Sequence, residues 1–511
     1  MSITAVVKKN TYFDSVSLMR ISTQANTIEG IEQAFVAMGT EMNKAVLDNL
    51  NLLDDQLRAA GTGDLMMVVV PVPGLDGGQF IGQIEELLTA KAPTGSSDIA
   101  YKTIAGAKEA IPDANLAVIA VNGAFAASEA RKALNSGLNV MLFSDNVSVE
   151  DEISLKHLAH DKGLLMMGPD CGTAIINNVG LAFSNNVRPG HIGIAAASGT
   201  GSQEVSVQIH ALGAGISQLI GTGGRDLSAE VGGIMMIDGI RMLAADPNTK
   251  VITLVSKPPA PETEAKVLEE IAKAGKPVVV YFIGGDEKAV AKAGGHFAAS
   301  SFSAAAQAVA LLDGGSPAEA GIDAKRIAAV RANAKEGQKY IRGLFCGGTL
   351  ADESMYALLA DGHQVYSNMG KDPAFKLGPN DRSREHSFLD FGEDEFTNGR
   401  PHPMIDPSLR AQRVAAEAED PSVLAIVMDF VLGYGAHEDP VGATIPYIKQ
   451  AKDTAAAQGR ELEIIGYVLG TDADVPSRQA QIKQLLDAGV AVTASSTATG
   501  QTIRALAAKE N

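Results

Sequence analysis

HIGIAAASGTGSQE, residues 191–204, joins an apolar run to a helix-like stretch through the small residues Ser198, Gly199, Thr200 and Gly201. An apolar run without polar alternation is typical of a strand buried on both faces, and such strands belong to parallel sheets covered by helices. Similar runs alternate with stretches of helical periodicity: LMMVVV (65–70), LAVIAV (116–121), NVMLFS (139–144), KVITLVS (250–256), PVVVYFI (277–283), VLAIVMDF (423–430) and EIIGYVL (463–469). This repetition predicts an α/β fold whose functional loops lie at the carboxyl ends of the strands.

The opening stretch has a counterpart in GLFCGGTLADE (343–353), which also has an apolar run, a Gly-Thr pair and a glutamate four residues after the threonine. Four more pairs follow in the same order: GISQLIGTGGRD (215–226) with GHQVYSNMGKD (362–372), VITLVSKPP with LAIVMDFVLG, PVVVYFIGGDE with EIIGYVLGTDAD, and AGGHFAASS (293–301) with AGVAVTASS (488–496). Five ordered matches predict two related β/α units in one chain. Only the second unit carries an insertion, residues 380–410, which we expect to place function at a strand end.

Length and composition limit the domain count and the class of partner. The chain has 511 residues and a net charge of −18, and at ~150 residues per domain this length predicts about three domains. We expect them at 1–187, with a further division near residue 95 left open, at 188–320, and at 341–511 after a linker helix at 321–340. No Lys/Arg-rich run exists to replace counterions on phosphates, so a nucleic-acid partner is not expected.

The cellular compartment follows from the apolar runs and the cysteines. No apolar run approaches the ~18 residues of a membrane-spanning helix, so no membrane association is expected. The two cysteines, Cys171 and Cys346, cannot cross-link a chain of this length, and this scarcity is typical of a protein of the reducing cytoplasm.

Two loops at equivalent strand ends are candidate phosphate sites. Ser198, Gly199, Thr200 and Gly201 lie at the first, and Gly347-Gly348-Thr349 lies at the second. The backbone N–H groups of such loops, with the following helix N-terminus, form a concave site for phosphate or carboxylate. Alternatively, these residues only cap helices and form tight turns.

Nucleotide and metal motifs are weak. The P-loop pattern does not occur, and GTGGRD, GTGSQE and GYGAHED lack the third glycine of a dinucleotide site, so a nicotinamide site is not supported. The acidic run Asp390, Glu393, Asp394 and Glu395 could hold Mg²⁺, but an acidic solvated loop is the preferred interpretation. We therefore predict no metal site.

Three histidines and one aspartate are candidates for acid/base catalysis. His402 and Asp406 lie in GRPHPMIDP of the insertion, and His437 follows a predicted buried strand. Each histidine could be a general acid/base or only a hydrogen-bonded loop residue. His296, in AGGHFAASS, aligns with Ala491 of the second unit, so an ordinary strand-edge position is the alternative to a catalytic role.

Several motifs together resemble a known family. MGPDCGTAIIN (167–177), RPGHIGIAAASGTGSQE, GTGGRD and KPVVVYFIGG are similar, in this order, to the α subunit of succinyl-CoA synthetase and related NDP-forming acyl-CoA synthetases. The segment from residue 335 onward resembles the CoA-ligase domain of the β subunit. With YFDSVSLM, FCGGTL and GRPHPMIDP, the whole chain resembles the FdrA/YahF group of predicted acyl-CoA synthetases. This resemblance implies a Rossmann-like N-terminal region followed by two duplicated flavodoxin-like domains of the succinyl-CoA synthetase type.

The resemblance also implies a chemistry. In the synthetases, a phosphohistidine lies between two helix N-termini, and here those helices would begin at Ser198-Gly199-Thr200 and Gly347-Gly348-Thr349. His296 would be the phospho-acceptor, and a substrate or CoA region would include Asp170, Cys171, Gly223, Gly224 and Arg225. Lys257, with Ser256 and Pro258, stands where the family has the glutamate that orients the phosphohistidine. CoA is thus a candidate cofactor.

Three functions are compatible with the sequence. The first is an acyl-CoA synthetase-like ligase component that handles an acyl phosphate or acyl-CoA and, having no ATP-grasp segment, needs a protein partner that supplies the nucleotide. The second is a carbamoyltransferase component that uses carbamoyl phosphate in ureide or oxamate catabolism. The third is a non-catalytic structural subunit. A homo-oligomeric state is left open.

Overall fold

The computed structural model describes residues 3–89 except 12, 14–17, 19, 20, 23, 27, 50 and 51, and residues 101–508 except 316, 371, 398 and 399. The chain forms two compact units: residues 1–102 with 394–402, and residues 103–393 with 403–511. The division expected near residue 95 lies outside the described residues, as does most of the YFDSVSLM motif. Among the described helices, none is both long and apolar enough to cross a bilayer.

The first unit contains a three-stranded antiparallel sheet. Its elements are β1 (Thr4–Lys8), β2 (Ile31–Met38), α1 (Glu41–Asn49), α2 (Asp55–Arg58), β3 (Leu65–Pro71), α3 (Gly78–Thr89) and a short helix, Asp394–Thr397. The central strand β3 packs Leu65, Met67 and Val69 into one apolar cluster and Met66, Val68 and Val70 into another. Its continuous apolar run therefore reflects burial on both faces of an antiparallel sheet, and the parallel Rossmann-like architecture expected of residues 1–187 is absent from this described part.

A parallel sheet begins after residue 103. Its strand order is β4-β5-β6 with all pairings parallel, which is the Rossmann-like βαβ pattern. The elements are α4 (Ile104–Ala110), β4 (Leu116–Ile119), α5 (Gly123–Asn135), β5 (Asn139–Leu142), α6 (Val149–Lys162) and β6 (Met166–Met167).

The next segment, which we call the first half, contains a seven-stranded sheet in the order β13-β12-β11-β9-β10-β7-β8. Strands β13 to β10 are parallel, whereas β7 and β8 are antiparallel additions. The elements are β7 (Thr173–Ile176), β8 (Val179–Ala182), β9 (Pro189–Ala197), α7 (Gly199–Ala211), β10 (Ile216–Gly221), α8 (Ile234–Ala245), β11 (Val251–Ser256), α9 (Pro261–Ile271), β12 (Val278–Phe282), α10 (Glu287–Lys292), β13 (His296–Phe297) and α11 (Ser301–Asp313).

The second half contains a six-stranded parallel sheet in the order β15-β16-β14-β17-β18-β19. Its elements are α12 (Ala324–Asn333), β14 (Tyr340–Phe345), α13 (Gly348–Leu359), β15 (Val365–Ser367), a 3₁₀ turn (Pro373–Phe375), β16 (His386–Asp390), α14 (Ser408–Glu417), β17 (Val423–Val431), α15 (Pro440–Ala457), β18 (Glu463–Leu469), α16 (Arg478–Asp487), β19 (Ala491–Thr493) and α17 (Ser496–Ala507).

The two halves share a core strand order, with one difference from the sequence alignment. The order β10-β9-β11-β12-β13 of the first half corresponds to β16-β14-β17-β18-β19 of the second. The interpretation of residues 380–410 as an insertion outside the repeat is wrong for residues 386–390, because these form the fully buried strand β16 beside β14. The segment expected to match β10 instead forms the edge strand β15. The charged residues around HSFLD conceal this strand in the sequence.

Candidate functional site

The helices α7 and α13 begin side by side in the compact unit formed by residues 103–393 and 403–511. The hydroxyls of Ser198 and Thr349, one at the start of each helix, are hydrogen-bonded to each other. A Cβ atom on Gly347 would lie 2.9 Å from Cγ2 of Thr200, so the first turns are in direct contact. We call residues 198–201 and 347–349 together the helix junction.

The two starts are built differently. Ser198 has an extended backbone, and its hydroxyl accepts a hydrogen bond of 3.0 Å from the amide of Gly201. Gly347, at the equivalent position of α13, has no side chain with which to cap the helix. The first N–H groups of a helix have no partner within the helix, and the helix dipole makes this end positive. Gly199 is exposed and Gly348 is half-buried, so these ends face an accessible space.

Reciprocal contacts between the halves fix the junction. Glu204 of α7 accepts a hydrogen bond of 3.1 Å from the amide of Ser496, at the start of α17. Glu353 of α13 accepts one of 2.9 Å from the amide of Ser301, at the start of α11. These are the glutamates and serines that the sequence repeat aligns, and Tyr467 adds a hydroxyl hydrogen bond to Glu204. Equivalent residues of the two halves thus make reciprocal contacts beside the paired helix ends.

Charged side chains surround the start of α13. A Cβ atom on Gly348 would lie 2.6 Å from Nζ of Lys257 and would also meet a carboxylate oxygen of Asp390. Lys257 follows the end of β11, and its ammonium is 3.0 Å from the carboxylate of Glu393. Asp352 lies one turn into α13 and is buried. A glycine at position 348 is therefore needed for these groups to approach the helix end.

Burial controls the ionisation of the two aspartates. It raises the pKa of Asp390 to about 7, although the Lys257 ammonium acts in the opposite direction. It also raises the pKa of Asp352 to about 6, against the same ammonium. For Lys257, burial opposes the charge, but the carboxylates of Glu393, Asp352 and Asp390 outweigh it and raise its pKa. At neutral pH the site thus combines a fixed cation with a carboxyl group near its titration midpoint.

One buried polar atom beside each helix end has no hydrogen-bond partner among the described residues. These atoms are Oγ1 of Thr173 and Oδ2 of Asp429. The first lies 3.8 Å from a Cβ position on Gly199, and the second lies 3.0 Å from one on Gly347. The other oxygen of Asp429 accepts from the amide of Cys346 at 2.8 Å and from Arg410 at 2.7 Å. Because buried polar atoms are normally hydrogen-bonded, these two indicate ligand or water at the junction.

Of the histidines expected to act as acids or bases, two lie in the same compact unit as the helix junction. His296 lies on the edge strand β13, opposite Val279, and three strand spacings of ~4.8 Å separate β13 from β9 by roughly 14 Å. Nδ1 of His437 accepts a 3.0 Å hydrogen bond from the amide of Asp439. His402 belongs to the segment 394–402 of the first unit.

The acidic residues predicted from the sequence as site candidates either have a local hydrogen-bond partner or are shared between the two compact units. Asp406 accepts a 3.0 Å hydrogen bond from the amide of Ser408, at the start of α14. Of the acidic run considered for Mg²⁺, Asp390 and Glu393 lie in the second unit, whereas Asp394 and Glu395 belong to the first. Sequence reasoning singled out Lys257 only as a departure from the family, and Asp390 only as a candidate metal ligand.

The region expected to bind substrate or CoA is brought together by a glycine. Gly223 has φ of +90°, and a Cβ atom there would lie 2.5 Å from the carbonyl oxygen of Pro169, so the loop before β7 and the loop after β10 touch. Asp170, Gly224 and Arg225 are exposed at this contact. Cys171 is buried, and burial raises the pKa of its thiol to about 12, so it is not a thiolate at neutral pH.

An ion network attaches the β4-β5-β6 sheet to this region. The fully buried ammonium of Lys156 is 2.7 Å from Glu152 and 2.8 Å from Asp226. Glu152 also pairs with Arg225 at 3.0 Å, and the Asp226 carboxylate accepts from the amide of Met236 at the start of α8. The network holds Arg225 in place through a residue of α6.

Three family models match the chain. Residues 344–506 match the CoA-ligase model, residues 187–284 match the CoA binding domain, and residues 1–103 match the heavy metal-associated domain of AllF. The first two cover the two halves whose helices form the junction.

Individual relatives agree with these models. The protein YahF of Escherichia coli is 59% identical over 98% of both chains. The succinate–CoA ligase subunit alpha 2 of Archaeoglobus fulgidus is 30% identical over 35% of this chain and 62% of that subunit, so less than two thirds of this relative is matched. A solved apo structure, the dinucleotide forming acetyl-coenzyme A synthetase 1 of Ca. Korarchaeum cryptofilum, aligns with 81% of this chain and 87% of its own at 18% identity and a TM-score of 0.36, which is too distant to indicate function.

The first 103 residues do not fit a resident heavy metal. They contain neither cysteine nor histidine, so no thiolate or imidazole ligand is present, and the thioethers of Met38, Met66 and Met67 pack in the apolar clusters of the sheet. Over the described residues, no group of three or more His, Cys, Asp or Glu side chains could hold a metal ion. The match in this region therefore bears on the fold of the first unit and not on metal chemistry.

Proposed function

Since the chain belongs to the family of Escherichia coli YahF, we propose that it is the acyl-transferring component of a succinyl-CoA synthetase-like ligase. In this proposal the helix junction binds the phosphate of an acyl phosphate. The observation that carries it is the contact between the starts of α7 and α13, where Ser198 meets Thr349 and unpartnered Thr173 and Asp429 oxygens face the helix ends.

The junction supplies the electrostatics that a phosphate needs. Each helix end favours an anion by about 0.3–1 kcal/mol, and up to ~2 kcal/mol where it is partly buried. Lys257, beside Gly348, adds a full positive charge. The positive helix ends and Lys257 thus attract an anion locally, whereas the field of the net charge of −18 repels it.

CoA would bind where the loops at Gly223 and Pro169 touch, with Asp170, Gly224 and Arg225 exposed to it. Its thiol would attack the acyl carbon, and phosphate would leave toward the helix ends. The nucleotide that forms the acyl phosphate would come from a partner protein. We further propose that the protein acts in the cytoplasm, consistent with two buried free cysteines, and that it assembles as a homo-oligomer.

A second candidate is transfer of a carbamoyl group from carbamoyl phosphate. The observation that favours it is the set of hydrogen-bond acceptors beside the helix end: the carboxyl groups of Asp390, Asp352 and Glu393. A carbamoyl group presents N–H donors that such acceptors can bind, whereas an acetyl or succinyl carbon does not. His296 lies on an edge strand. This position is compatible with both candidate functions, because neither uses a phosphohistidine.

Calorimetry with acetyl phosphate and with carbamoyl phosphate, in the presence and absence of CoA, tests both candidates. We expect one acyl phosphate to bind, and Gly348→Ala to abolish the binding because its methyl group would displace Lys257 and Asp390. Gly82→Ala on α3, where a Cβ meets nothing within 4 Å, is the matched control.

The outcomes separate the alternatives. Acyl-CoA formation from acetyl phosphate supports the ligase component, and carbamoyl phosphate turnover with co-purified partners supports the carbamoyl candidate. Absence of binding for both compounds, with the protein folded, would contradict both and leave a non-catalytic subunit.

A further inference from the structure

We propose that Asp390 is the catalytic acid of the helix junction, taking up a proton as an oxyanion binds and giving it to the leaving phosphate, while Lys257 positions the anion. This inference rests on the proposed function and identifies a proton source for it. It is carried by the geometry of one buried carboxyl group whose two oxygens have different surroundings.

The backbone of Asp390 is rigidly held. Its amide donates to the Asn368 side chain at 2.9 Å, and its carbonyl oxygen accepts from the same side chain at 2.9 Å. Its Oδ1 accepts a 2.8 Å hydrogen bond from the amide of Gly392. Oδ2 points instead to Gly348, at the start of α13. One oxygen is thus committed to the loop, and the other is directed toward the space where the anion would lie.

The charged groups that act on Asp390 come from three parts of the chain. Lys257 approaches from the end of β11, Glu393 from the loop after β16, and Asp429 from β17, where Arg410 pairs with it. Asp352 of α13 acts on Lys257. Burial and the two carboxylates Glu393 and Asp429 favour the neutral carboxylic acid, and Lys257 favours the carboxylate. The pKa of about 7 that results suits an acid working near neutral pH.

The proton balance is simple. As the thiol sulfur of CoA bonds to the acyl carbon, the bond from that carbon to the phosphate oxygen breaks, and the Asp390 carboxyl proton moves to this oxygen. Asp390 is left as a carboxylate and recovers a proton from the attacking thiol. The products are a thioester and hydrogen phosphate, and no redox partner is needed.

Sulfate provides the test, because it is a divalent oxyanion that does not titrate between pH 6 and 8. If sulfate binds only when Asp390 is protonated, a pKa of about 7 makes the affinity about tenfold higher at pH 6 than at pH 8. At pH 7, calorimetry in buffers of different ionisation enthalpy should show uptake of about 0.5 proton per sulfate in the unmodified protein.

Variants of single aspartates test whether Asp390 is the group that takes up the proton. Asp390→Asn should bind sulfate with the same affinity at pH 6 and pH 8 and take up no proton. Asp487→Asn, which alters an exposed ion pair with Lys483, is the matched control and should keep the tenfold change. Retention of that change in Asp390→Asn, or its loss in Asp352→Asn instead, would overturn the assignment.

The results that would refute the proposed phosphate site differ from those that would refute only the role of Asp390. If the unmodified protein binds neither sulfate nor an acyl phosphate at either pH, the phosphate site itself is wrong. If sulfate binds equally at pH 6 and pH 8 with no proton uptake, the site stands and only the role of Asp390 is refuted. Because these results come from the unmodified protein, they do not depend on the folding of any variant.

Discussion

Replacing Glu204 by glutamine tests the contact that joins the two halves. The Glu204 carboxyl group is buried at 1% exposure and receives hydrogen bonds from the Ser496 amide, Gln208 and Tyr467. Burial outweighs these bonds and raises its pKa from 4.5 to about 7. The folded protein therefore binds this proton more tightly than the unfolded chain does, and stability decreases as the pH rises from 4.5 through 7.

The size of the effect follows from the two pKa values of Glu204. Between pH 5 and pH 8, a carboxyl group with a pKa of about 7 when folded and 4.5 when unfolded costs the folded state about 2.5 kcal/mol. Glutamine does not titrate and is nearly the same shape, so Glu204→Gln should escape this loss. The free energy of unfolding of the variant, relative to the unmodified protein, should therefore rise by about 2.5 kcal/mol over this range.

Urea unfolding followed by circular dichroism at pH 5, 6, 7 and 8 measures this difference. Glu353→Gln is the matched control, since Glu353 accepts from the Ser301 amide, the Ser301 hydroxyl and the Thr497 hydroxyl. Glutamine keeps one acceptor oxygen, and its amide nitrogen can donate to the Ser301 hydroxyl, so this variant measures the cost of the same carboxyl-to-amide exchange at the equivalent contact. Parallel stability curves for Glu204→Gln and the unmodified protein would refute the reasoning.

Three further changes test separate parts of the structure. Lys156→Met leaves the buried Asp226 carboxylate without a cation and Glu152 with Arg225 alone, and should cost about 3–5 kcal/mol in urea unfolding. Ser198→Ala removes the cap of α7 and the hydroxyl bond to Thr349, and should cost about 1–2 kcal/mol by the same measurement. Gly223→Ala should lower the affinity for CoA at least tenfold in calorimetry, because the residue has φ of +90° and the added Cβ collides with Pro169; unchanged CoA binding would place the CoA site elsewhere.

The duplicated halves could be predicted because the repeat preserves residues that make contacts. Glu204 and Glu353 follow the threonines of the two loops at the same spacing, and they make reciprocal bonds to the matched serines. The antiparallel sheet of the first unit could not be predicted in this way. The LMMVVV run reports burial on both faces, and burial on both faces does not distinguish a parallel from an antiparallel neighbour.

The loops of the candidate site could be predicted from the sequence, whereas the charged residues that converge on it could not. Glycine, serine and threonine at a strand–helix turn are visible locally, so the loops at Ser198 and Gly348 could be identified from the sequence. Lys257 and Asp390 are far apart in the chain and converge only because the two halves pack against each other at the start of α13. Each has an ordinary local context, a turn before prolines for Lys257 and an acidic loop for Asp390.

The most direct test of the helix junction is a crystal structure of the full chain soaked with tungstate, an oxyanion located by its anomalous scattering. We predict a tungstate between Gly199 and Gly348, within hydrogen-bond distance of the first amides of α7 and α13 and beside Lys257. A structure in which tungstate binds elsewhere on the protein while the junction holds none would contradict the assignment of these paired helix ends as the phosphate site.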